Sequence, residues 1–356
     1  MGQYTDDPKW ADVTPFPQDD GGPNPLAAIS YTEGYAEAMS YLRAVMAANE
    51  MSERALELTE EIIGMNPAHY TVWLYRLRII TSLPVALAQE IAWLNAIALR
   101  HQKNYQIWHH RQHLVDRIGS PIGEIAFVNR MLKGDAKNYH VWSYRQWLVR
   151  RFGLWDVEGE NGRGDLDDDD EDDDEDDEEG QGEGPSLASR ADHGGPPAEI
   201  RTRTTELEET ALYIAQDVRN NSAWNHRFFI VNGDPAAQGV KDPAVYDREV
   251  AFAKEAIRKA PQNQSPWSYL KGIVDRAKGR EGVVELKAFC EEFVEGQGEG
   301  KVRSSHALDL LAEIWGRERR VAEAKRAYQL LAERYDPIRG NYWNYLRGRL
   351  EGQSAA

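Results

Sequence analysis

A tryptophan-led apolar pattern recurs along the sequence. Its four clearest copies are headed by Trp73, Trp108, Trp142 and Trp224. Each tryptophan is followed by an arginine three residues later and by two aliphatic residues six and seven positions later. Positions three and seven apart lie on one face of an α-helix, so each copy predicts a helix with an apolar stripe. An asparagine three or four residues before most of these tryptophans is a favourable N-cap, which indicates that each copy opens a helix.

The spacing of the copies predicts a helical repeat. The first three tryptophans lie 35 and 34 residues apart, and weaker copies surround Trp267 and Trp343. A period in the mid-thirties indicates one supersecondary unit copied along the chain. Segments between the copies, such as 84–100 and 121–133, supply a second helix in each period. We therefore predict an all-α protein, a crescent-shaped, right-handed α-α superhelix (a solenoid) of about seven helical hairpins.

Two segments depart from the repeat. Residues 1–30 are rich in Pro, Asp and Gly, which predicts an extended N-terminal arm, with Trp10 as the side chain best suited to anchor it. Residues 156–197 include the run Asp165–Glu179, of which all but one residue is acidic. Such a segment has too little apolar surface to fold, so we predict an acidic disordered insertion. The helical-hairpin repeat domain would then span 31–353, interrupted by 156–197.

Charge and cysteine content narrow the functional classes. The formal net charge of −17 comes mostly from the acidic run, and no basic stripe indicates nucleic-acid binding. Cys290 is the single cysteine, which excludes a disulfide scaffold and a multi-cysteine metal site within the chain. The sequence shows neither a signal-like start nor an apolar run of transmembrane length, so we expect a cytoplasmic protein with no transmembrane segment.

The repeat residues resemble the α subunit of the CaaX protein prenyltransferases, the subunit shared by farnesyltransferase and type I geranylgeranyltransferase. The resemblance rests on the motif Asn-Tyr-x-x-Trp-x-x-Arg, clearest at Asn104–Arg111 and Asn138–Arg145. Trp10-Ala11-Asp12 followed by Pro15-Phe16-Pro17 is similar to that family's N-terminus. The similarity spans nearly the whole chain outside the insertion and becomes diffuse after about Gly279.

The resemblance implies a function and a partner. The α subunit would wrap around a β subunit that holds zinc and the isoprenoid pocket, with activity only as the αβ heterodimer. The heterodimer would transfer a farnesyl or geranylgeranyl group from the isoprenoid diphosphate to the cysteine thiol of a C-terminal CaaX motif. Small GTPases and other CaaX proteins would be the substrates. The implied cofactors are zinc, bound by the β subunit and not by this chain, and magnesium.

Three residues acquire roles by the same resemblance. Lys137 would be the catalytic cation that stabilises the departing diphosphate. Tyr139 would neighbour the diphosphate, and Gln106 would donate a hydrogen bond to the C-terminal carboxylate of the peptide. Loops of adjacent repeats lie side by side in a stack, so Gln106 and Lys137 can reach one cleft. We further expect these residues at the subunit interface: Tyr105, His109, His140 and Asn221. The histidines lie in different repeats without acidic or cysteine partners at ligand spacing, so we predict no metal ligands in this chain.

Two other classes of helical-repeat protein have a repeat of similar length. The tryptophan repeats alone also fit the α subunit of Rab geranylgeranyltransferase, although the N-terminal arm and the segments 137–140 and 150–156 favour the CaaX enzymes. A non-catalytic tetratricopeptide-like adaptor that binds peptides has a period of 34 as well. Its Trp-x-x-Leu-Gly-x-x-Tyr pattern differs from the Trp-x-x-Arg of this chain.

Overall fold

The computed structural model describes residues 3–22, 25–27, 29–155, 205–296 and 300–354. The predicted acidic insertion at 156–197 lies outside these residues. Apart from one isolated antiparallel bridge between Val294 and Val302, the described residues form only helices and connecting loops. The α-helices are α1 (Glu33–Ala47), α2 (Glu53–Met65), α3 (Tyr70–Ser82), α4 (Leu87–Arg100), α5 (Tyr105–Ile118), α6 (Glu124–Gly134), α7 (Tyr139–Phe152), α8 (Glu206–Gln216), α9 (Asn221–Gly233), α10 (Pro243–Lys259), α11 (Gln264–Lys278), α12 (Lys287–Glu291), α13 (Ser305–Arg317), α14 (Val321–Leu330) and α15 (Gly340–Ser354).

The helices pack as seven successive pairs. After α1, each even-numbered helix packs against the odd-numbered helix that follows it, from α2 with α3 to α14 with α15. The odd-numbered helices α3, α5, α7, α9 and α11, which carry the repeat tryptophans, also pack against one another and form one layer. The prediction of an all-α superhelix of hairpins is confirmed. No helix within the described ranges is long and apolar enough to cross a membrane.

The repeat tryptophans form the core between hairpins. Trp73, Trp108, Trp142 and Trp224 are all at most 4% exposed. Each ring packs against residues of the neighbouring helices, and each indole N–H donates to a backbone carbonyl six residues earlier, at 2.8 to 3.1 Å. The buried indole N–H is therefore satisfied, which removes the cost of burying a polar group.

The repeat arginines join one hairpin to the next. Each guanidinium donates two hydrogen bonds to both oxygens of a glutamate on the first helix of the following hairpin, at 2.7 to 3.0 Å. The four pairs are Arg76–Glu90, Arg111–Glu124, Arg145–Glu206 and Arg227–Glu249. These side chains are all buried. The repeat arginines therefore satisfy buried acids between hairpins.

Each of these glutamates also binds a side chain from the helix that follows it. The partner stands two residues after the next tryptophan and is alternately histidine and tyrosine. The bonds are His110–Glu90 at 3.0 Å, Tyr144–Glu124 at 2.5 Å, His226–Glu206 at 2.7 Å and Tyr269–Glu249 at 2.6 Å. Each of these four glutamates thus binds an arginine of the preceding hairpin and a histidine or tyrosine of its own hairpin. The two contacts together fix the register of adjacent hairpins.

The stack of hairpins continues from α7 to α8, the two helices on either side of residues 156–204. Arg145 on α7 and Glu206 on α8 are 61 residues apart in sequence, yet they make the same bidentate pair as Arg111 and Glu124, which are 13 apart. Helix α8 begins with a capping box, in which the Thr205 hydroxyl accepts from the Glu208 backbone N–H and the Glu208 carboxylate accepts from the Thr205 N–H. The chain therefore re-enters the repeat at the position where the next hairpin belongs.

The N-terminal arm is fixed on α1 and α2 by Trp10. This side chain is 5% exposed, and its ring centroid lies 5.5 Å from those of Tyr4 and Tyr41. Arg54 on α2 pairs with Asp12 at 2.7 Å, next to the tryptophan. The prediction that Trp10 anchors the arm is confirmed. The arm is not wholly extended, because Pro8–Trp10 forms a 3-10 helix that Asp7 caps.

Candidate functional site

Asparagine caps position the candidate residues at the starts of the tryptophan helices. The Asn104 side chain accepts a hydrogen bond from the Gln106 backbone N–H at 2.8 Å, and Asn138 accepts from His140 N–H at 3.0 Å. Each cap satisfies an amide of the first helical turn that has no partner within the helix. Gln106 and His140 therefore lie in the first turns of α5 and α7, where their side chains are half-buried.

The same asparagines link successive repeats. The Gln102 carbonyl accepts from the Trp108 indole at 3.1 Å and from the Asn138 amide of the next repeat at 3.4 Å. The Ala136 carbonyl accepts in the same way from Trp142 and Asn220, both at 2.9 Å. One carbonyl in each loop thus holds its own tryptophan and the next N-cap. This arrangement sets the loops before α5, α7 and α9 side by side, as the sequence predicts.

A groove of about 470 Å³ runs across the starts of α3, α5 and α7. Five of the seven residues predicted for the site and the interface line it: Tyr105, Gln106, His109, Tyr139 and His140. The Tyr105 and His140 rings meet edge to face with centroids 4.3 Å apart. Burial, together with the neighbouring Lys103 charge, lowers the pKa of His140, which favours its neutral form. The groove is therefore lined mainly by rings and by neutral hydrogen-bonding groups.

Lys137 lies beside this groove and is not one of its lining residues. Its ammonium Nζ is 2.7 Å from the carboxylate of Asp217 in the loop before α9, and the lysine side chain is 55% exposed. The hydrogen bond from the Lys137 ammonium holds the pKa of the Asp217 carboxyl below its usual range. The side chain of Lys137 is thus drawn toward the next repeat, while Gln106 faces the groove. Lys137 and Gln106, which were predicted to share a cleft, therefore do not both line this groove.

Lys103 provides an internal counterpart of Lys137. Both lysines stand five residues before the repeat tryptophan, and Lys103 pairs with Asp135 at 3.3 Å. The aspartates were missed in the sequence, although a signal existed. Asp135 and Asp217 each precede a repeat tryptophan by seven residues, so they occupy one repeat position.

Exposed aromatic rings mark the same edge of the layer. Tyr70, Tyr105 and Tyr139 occupy one repeat position, three residues before the tryptophan, and are 63 to 68% exposed. The fourth copy has the exposed Asn221 at this position, which lies away from the groove-lining set. Large exposed rings in a row are typical of a surface that binds a partner. Among the residues with described placement, His, Cys, Asp and Glu form no group of three or more that could hold a metal ion.

Comparison with known proteins decides the family. The model of the protein prenyltransferase alpha subunit repeat matches residues 52–83, 87–118, 122–152, 204–233 and 246–277. A protein farnesyltransferase/geranylgeranyltransferase type-1 subunit alpha from Pisum sativum is 34% identical over 96% of this chain and 93% of its own length. The chain belongs to the protein prenyltransferase α-subunit family. The five matched repeats correspond to the hairpins from α2/α3 to α10/α11, so the tetratricopeptide interpretation is not supported.

Other relatives agree with this assignment. The corresponding α subunit from Candida albicans is 34% identical over 96% of this chain and 97% of its own length. The solved structure of Candida albicans protein geranylgeranyltransferase-I complexed with GGPP contains a chain that matches with a TM-score of 0.75 and 34% identity, covering 96% of this chain. The geranylgeranyl transferase type-2 subunit alpha of Sus scrofa is 25% identical over 65% of this chain, so the Rab-type alternative is not favoured.

Proposed function

We propose that this chain is the α subunit of a CaaX-type protein prenyltransferase that is active as an αβ heterodimer in the cytoplasm. The observation that carries the proposal is the similarity to farnesyltransferase/geranylgeranyltransferase type-1 α subunits along nearly the full length of the chain. The heterodimer transfers a farnesyl or geranylgeranyl group from its diphosphate to the cysteine thiol of a C-terminal CaaX motif. Its substrates are small GTPases and other proteins that end in this motif.

The partner surface in this proposal is the edge where the tryptophan helices begin. Tyr105, His109, His140 and Asn221 contact the β subunit there. The three exposed tyrosines of this edge can bury large ring areas, and tyrosine is among the residues that contribute most to interface affinity. The edge combines these rings with the groove at the starts of α3, α5 and α7, which makes it the surface that we assign to the partner.

Lys137 is the catalytic residue of this chain in the proposed reaction. The peptide thiolate sulfur forms a bond to C1 of the isoprenoid while the C1–O bond breaks, and the electron pair leaves with the diphosphate. Negative charge on the diphosphate grows as this bond breaks, so a fixed ammonium beside it lowers the barrier. Lys137 supplies that charge, and the Tyr139 hydroxyl, two residues further on, lies next to the same diphosphate.

When no substrate is bound, the ion pair with Asp217 keeps the Lys137 side chain in one position. Both groups are substantially exposed, so their mutual attraction is weak in water and a multiply charged diphosphate competes for the ammonium. Asp217 thus positions the lysine at the end of the loop. This role differs from the buried Arg–Glu pairs, which are inaccessible to any ligand.

Gln106 binds the peptide end in this proposal. Its side-chain amide donates a hydrogen bond to the C-terminal carboxylate, from the first turn of α5. The N-terminus of a helix favours negative charge nearby, which adds to the attraction for a carboxylate. Zinc would be held by the β subunit, where it would favour the thiolate form of the substrate cysteine, and magnesium would accompany the diphosphate. The residues assigned to this chain therefore act on the two anionic substrate groups.

Reconstitution tests the proposal. The chain is co-expressed with the farnesyltransferase β subunit or the type I geranylgeranyltransferase β subunit of the same organism, and each product is assayed with both isoprenoid diphosphates. We expect a stable 1:1 complex with at least one of them and transfer to a CaaX peptide, but not to a peptide with serine in place of the cysteine. A chain that remains monomeric with both β subunits and supports no transfer would overturn the proposal.

A further inference from the structure

Two histidines on α5 stand one helical turn apart beside the groove. His109 and His113 are exposed, their ring centroids are 4.5 Å apart, and their Nε2 atoms are separated by 3.3 Å. The i, i+4 spacing places both side chains on one face of the helix. The same nitrogen of both rings therefore lies on the exposed face of α5, close to its counterpart.

The separation of the two nitrogens matches the bite of a metal chelate. Zinc–imidazole bonds are about 2.0–2.1 Å long, so two nitrogens 3.3 Å apart subtend an angle of about 107° at a shared cation. This angle is close to that of a tetrahedral centre. A single hydrogen bond between the rings would favour a shorter separation, near 2.9–3.0 Å. No rotation of the helix or of its neighbours is needed to bring the two donors together.

We propose that His109 and His113 form a two-histidine site for a divalent transition-metal cation, Zn²⁺ or Cu²⁺. Imidazole nitrogen favours these cations, whereas Mg²⁺ and Ca²⁺ prefer oxygen ligands. Among the described residues no third His, Cys, Asp or Glu completes the group, so the remaining coordination positions hold water or a ligand from outside the chain. His109 also lines the groove, which places these open positions at its rim.

This site is separate from the zinc of the proposed heterodimer, which the β subunit holds. The proposal departs from the expectation that this chain supplies no metal ligand, and it does not rest on the proposed function, because both ligands belong to one helix of this chain. In the proposed heterodimer His109 contacts the β subunit, so the site is tested on the chain alone. Neither histidine contributes to the buried carboxylate network, in which His110 is the residue that faces Glu90. Replacing either ligand therefore leaves the hairpin packing intact.

The test is calorimetric titration of the purified full-length chain with Zn²⁺, and copper EPR of the same chain. An excess of Ca²⁺ saturates the acidic run of Asp165–Glu179, which would otherwise bind zinc through carboxylates. We expect one strong equivalent of Zn²⁺, and a copper signal with two coordinated nitrogens. His109→Gln and His113→Gln should each weaken this binding by at least about tenfold, because a single ligand loses the chelate advantage.

His140→Gln is the matched control, since His140 lines the same groove without belonging to the pair. It should leave the strong equivalent and the copper signal unchanged. Wild-type protein without a strong equivalent of Zn²⁺ would overturn the proposal. Equal binding by wild type and His113→Gln would do so as well, because the metal would then be held elsewhere.

Discussion

The first five hairpins and the last two solve the same packing problem with different chemistry. Between the early hairpins, each boundary contains a buried arginine, a glutamate and a histidine or tyrosine. At the boundary that follows α11, the corresponding positions carry Leu270, Leu286 and Leu310, all buried. Phe289 takes the place of the ring that packs on the preceding tryptophan, with its centroid 5.6 Å from Trp267. The superhelix continues through both kinds of boundary.

The difference shows that the ion pairs are not needed for stacking as such. Burying two charges has a desolvation cost that offsets much of their attraction, so an apolar set of similar volume serves equally well. What the polar set adds is direction, because a bidentate pair is satisfied in one register only. The family matches also end at residue 277, where this polar set ends. All seven candidate site and interface residues lie in the polar part of the stack.

The largest effect expected from this comparison of polar and apolar boundaries comes from removing one charge of a buried pair. Arg145→Leu leaves the buried Glu206 carboxylate without its cation, and the free energy of unfolding should fall by about 3–5 kcal/mol. Urea unfolding followed by circular dichroism measures this loss. The triple variant Arg145→Leu, Glu206→Leu, His226→Leu copies the boundary after α11 and should regain most of the stability. If the triple variant is as unstable as the single one, the two boundaries are not interchangeable.

A second test concerns a half-buried position in the polar part of the stack. Gln106→Ala should weaken peptide binding to the heterodimer by about 1–3 kcal/mol, because the peptide carboxylate loses a hydrogen-bond donor. Stability should not change, since the side chain is half-buried and lies in a groove. Binding is compared between a CaaX peptide acid and its C-terminal amide. Wild type should prefer the acid, and the variant should lose that preference.

Gln112 lines the same groove and supplies the control. Gln112→Ala should retain the preference for the free acid, because this residue has no assigned contact with the peptide end. A wild-type preference that persists in Gln106→Ala would remove Gln106 from the binding site.

The smallest expected effect compares histidine with tyrosine at one repeat position. Burial lowers the pKa of His226, whose Nδ1 has no hydrogen-bond partner among the described residues, while its Nε2 binds Glu206. The folded state then binds fewer protons than the unfolded state below about pH 6.5, where free histidine becomes charged. This contribution to stability is therefore lost as the pH falls from about 6.5, by at most about 1.4 kcal/mol per pH unit.

His226→Tyr removes this loss and keeps a ring with a hydrogen-bond donor, as Tyr144 and Tyr269 do naturally. Urea midpoints between pH 7.5 and 5.5 should fall less steeply in the variant than in wild type. Arg145 draws the pKa of Glu206 down to about 2 despite its burial, so this carboxylate does not titrate in the same interval. Identical slopes for both proteins would show that His226 does not contribute to the acid sensitivity.

The sequence predicts the invariant parts of the repeat better than their partners. Trp and Arg recur at one offset in all four copies and the capping Asn in three of them, so burial and capping follow from the period. The glutamates lie 14, 13, 61 and 22 residues after their arginines, because loop lengths differ between hairpins. Counted back from the next repeat tryptophan, however, each glutamate stands at a fixed distance of 18 residues. Counting forward from the arginine therefore does not identify the partner, whereas counting back from the next tryptophan does.

In the candidate site, too, some features follow from the repeat pattern and others depend on the folded structure. Adjacent Asn220 and Asn221 leave the fourth cap ambiguous in the sequence, and the structure selects Asn220, four residues before Trp224, as in the copies at Asn104 and Asn138. The proximity of Gln106 and Tyr139 follows from the stacking of loops. The direction of the Lys137 side chain does not, because it depends on the carboxylate of Asp217 in the next loop.

Single-turnover prenyl transfer by the heterodimer, compared between Lys137→Ala and Lys103→Ala, tests the central claim most directly. The two lysines share one repeat position and one kind of partner, so both substitutions remove an exposed Lys–Asp pair. We predict that Lys137→Ala slows transfer about 10- to 1,000-fold with diphosphate binding largely retained, and that Lys103→Ala has the smaller effect although Lys103 lines a pocket with Tyr105 and Gln106. A wild-type single-turnover rate for Lys137→Ala would contradict this account. A loss in Lys103→Ala would then assign the catalytic role to Lys103, and wild-type rates for both variants would show that the chain only scaffolds its partner.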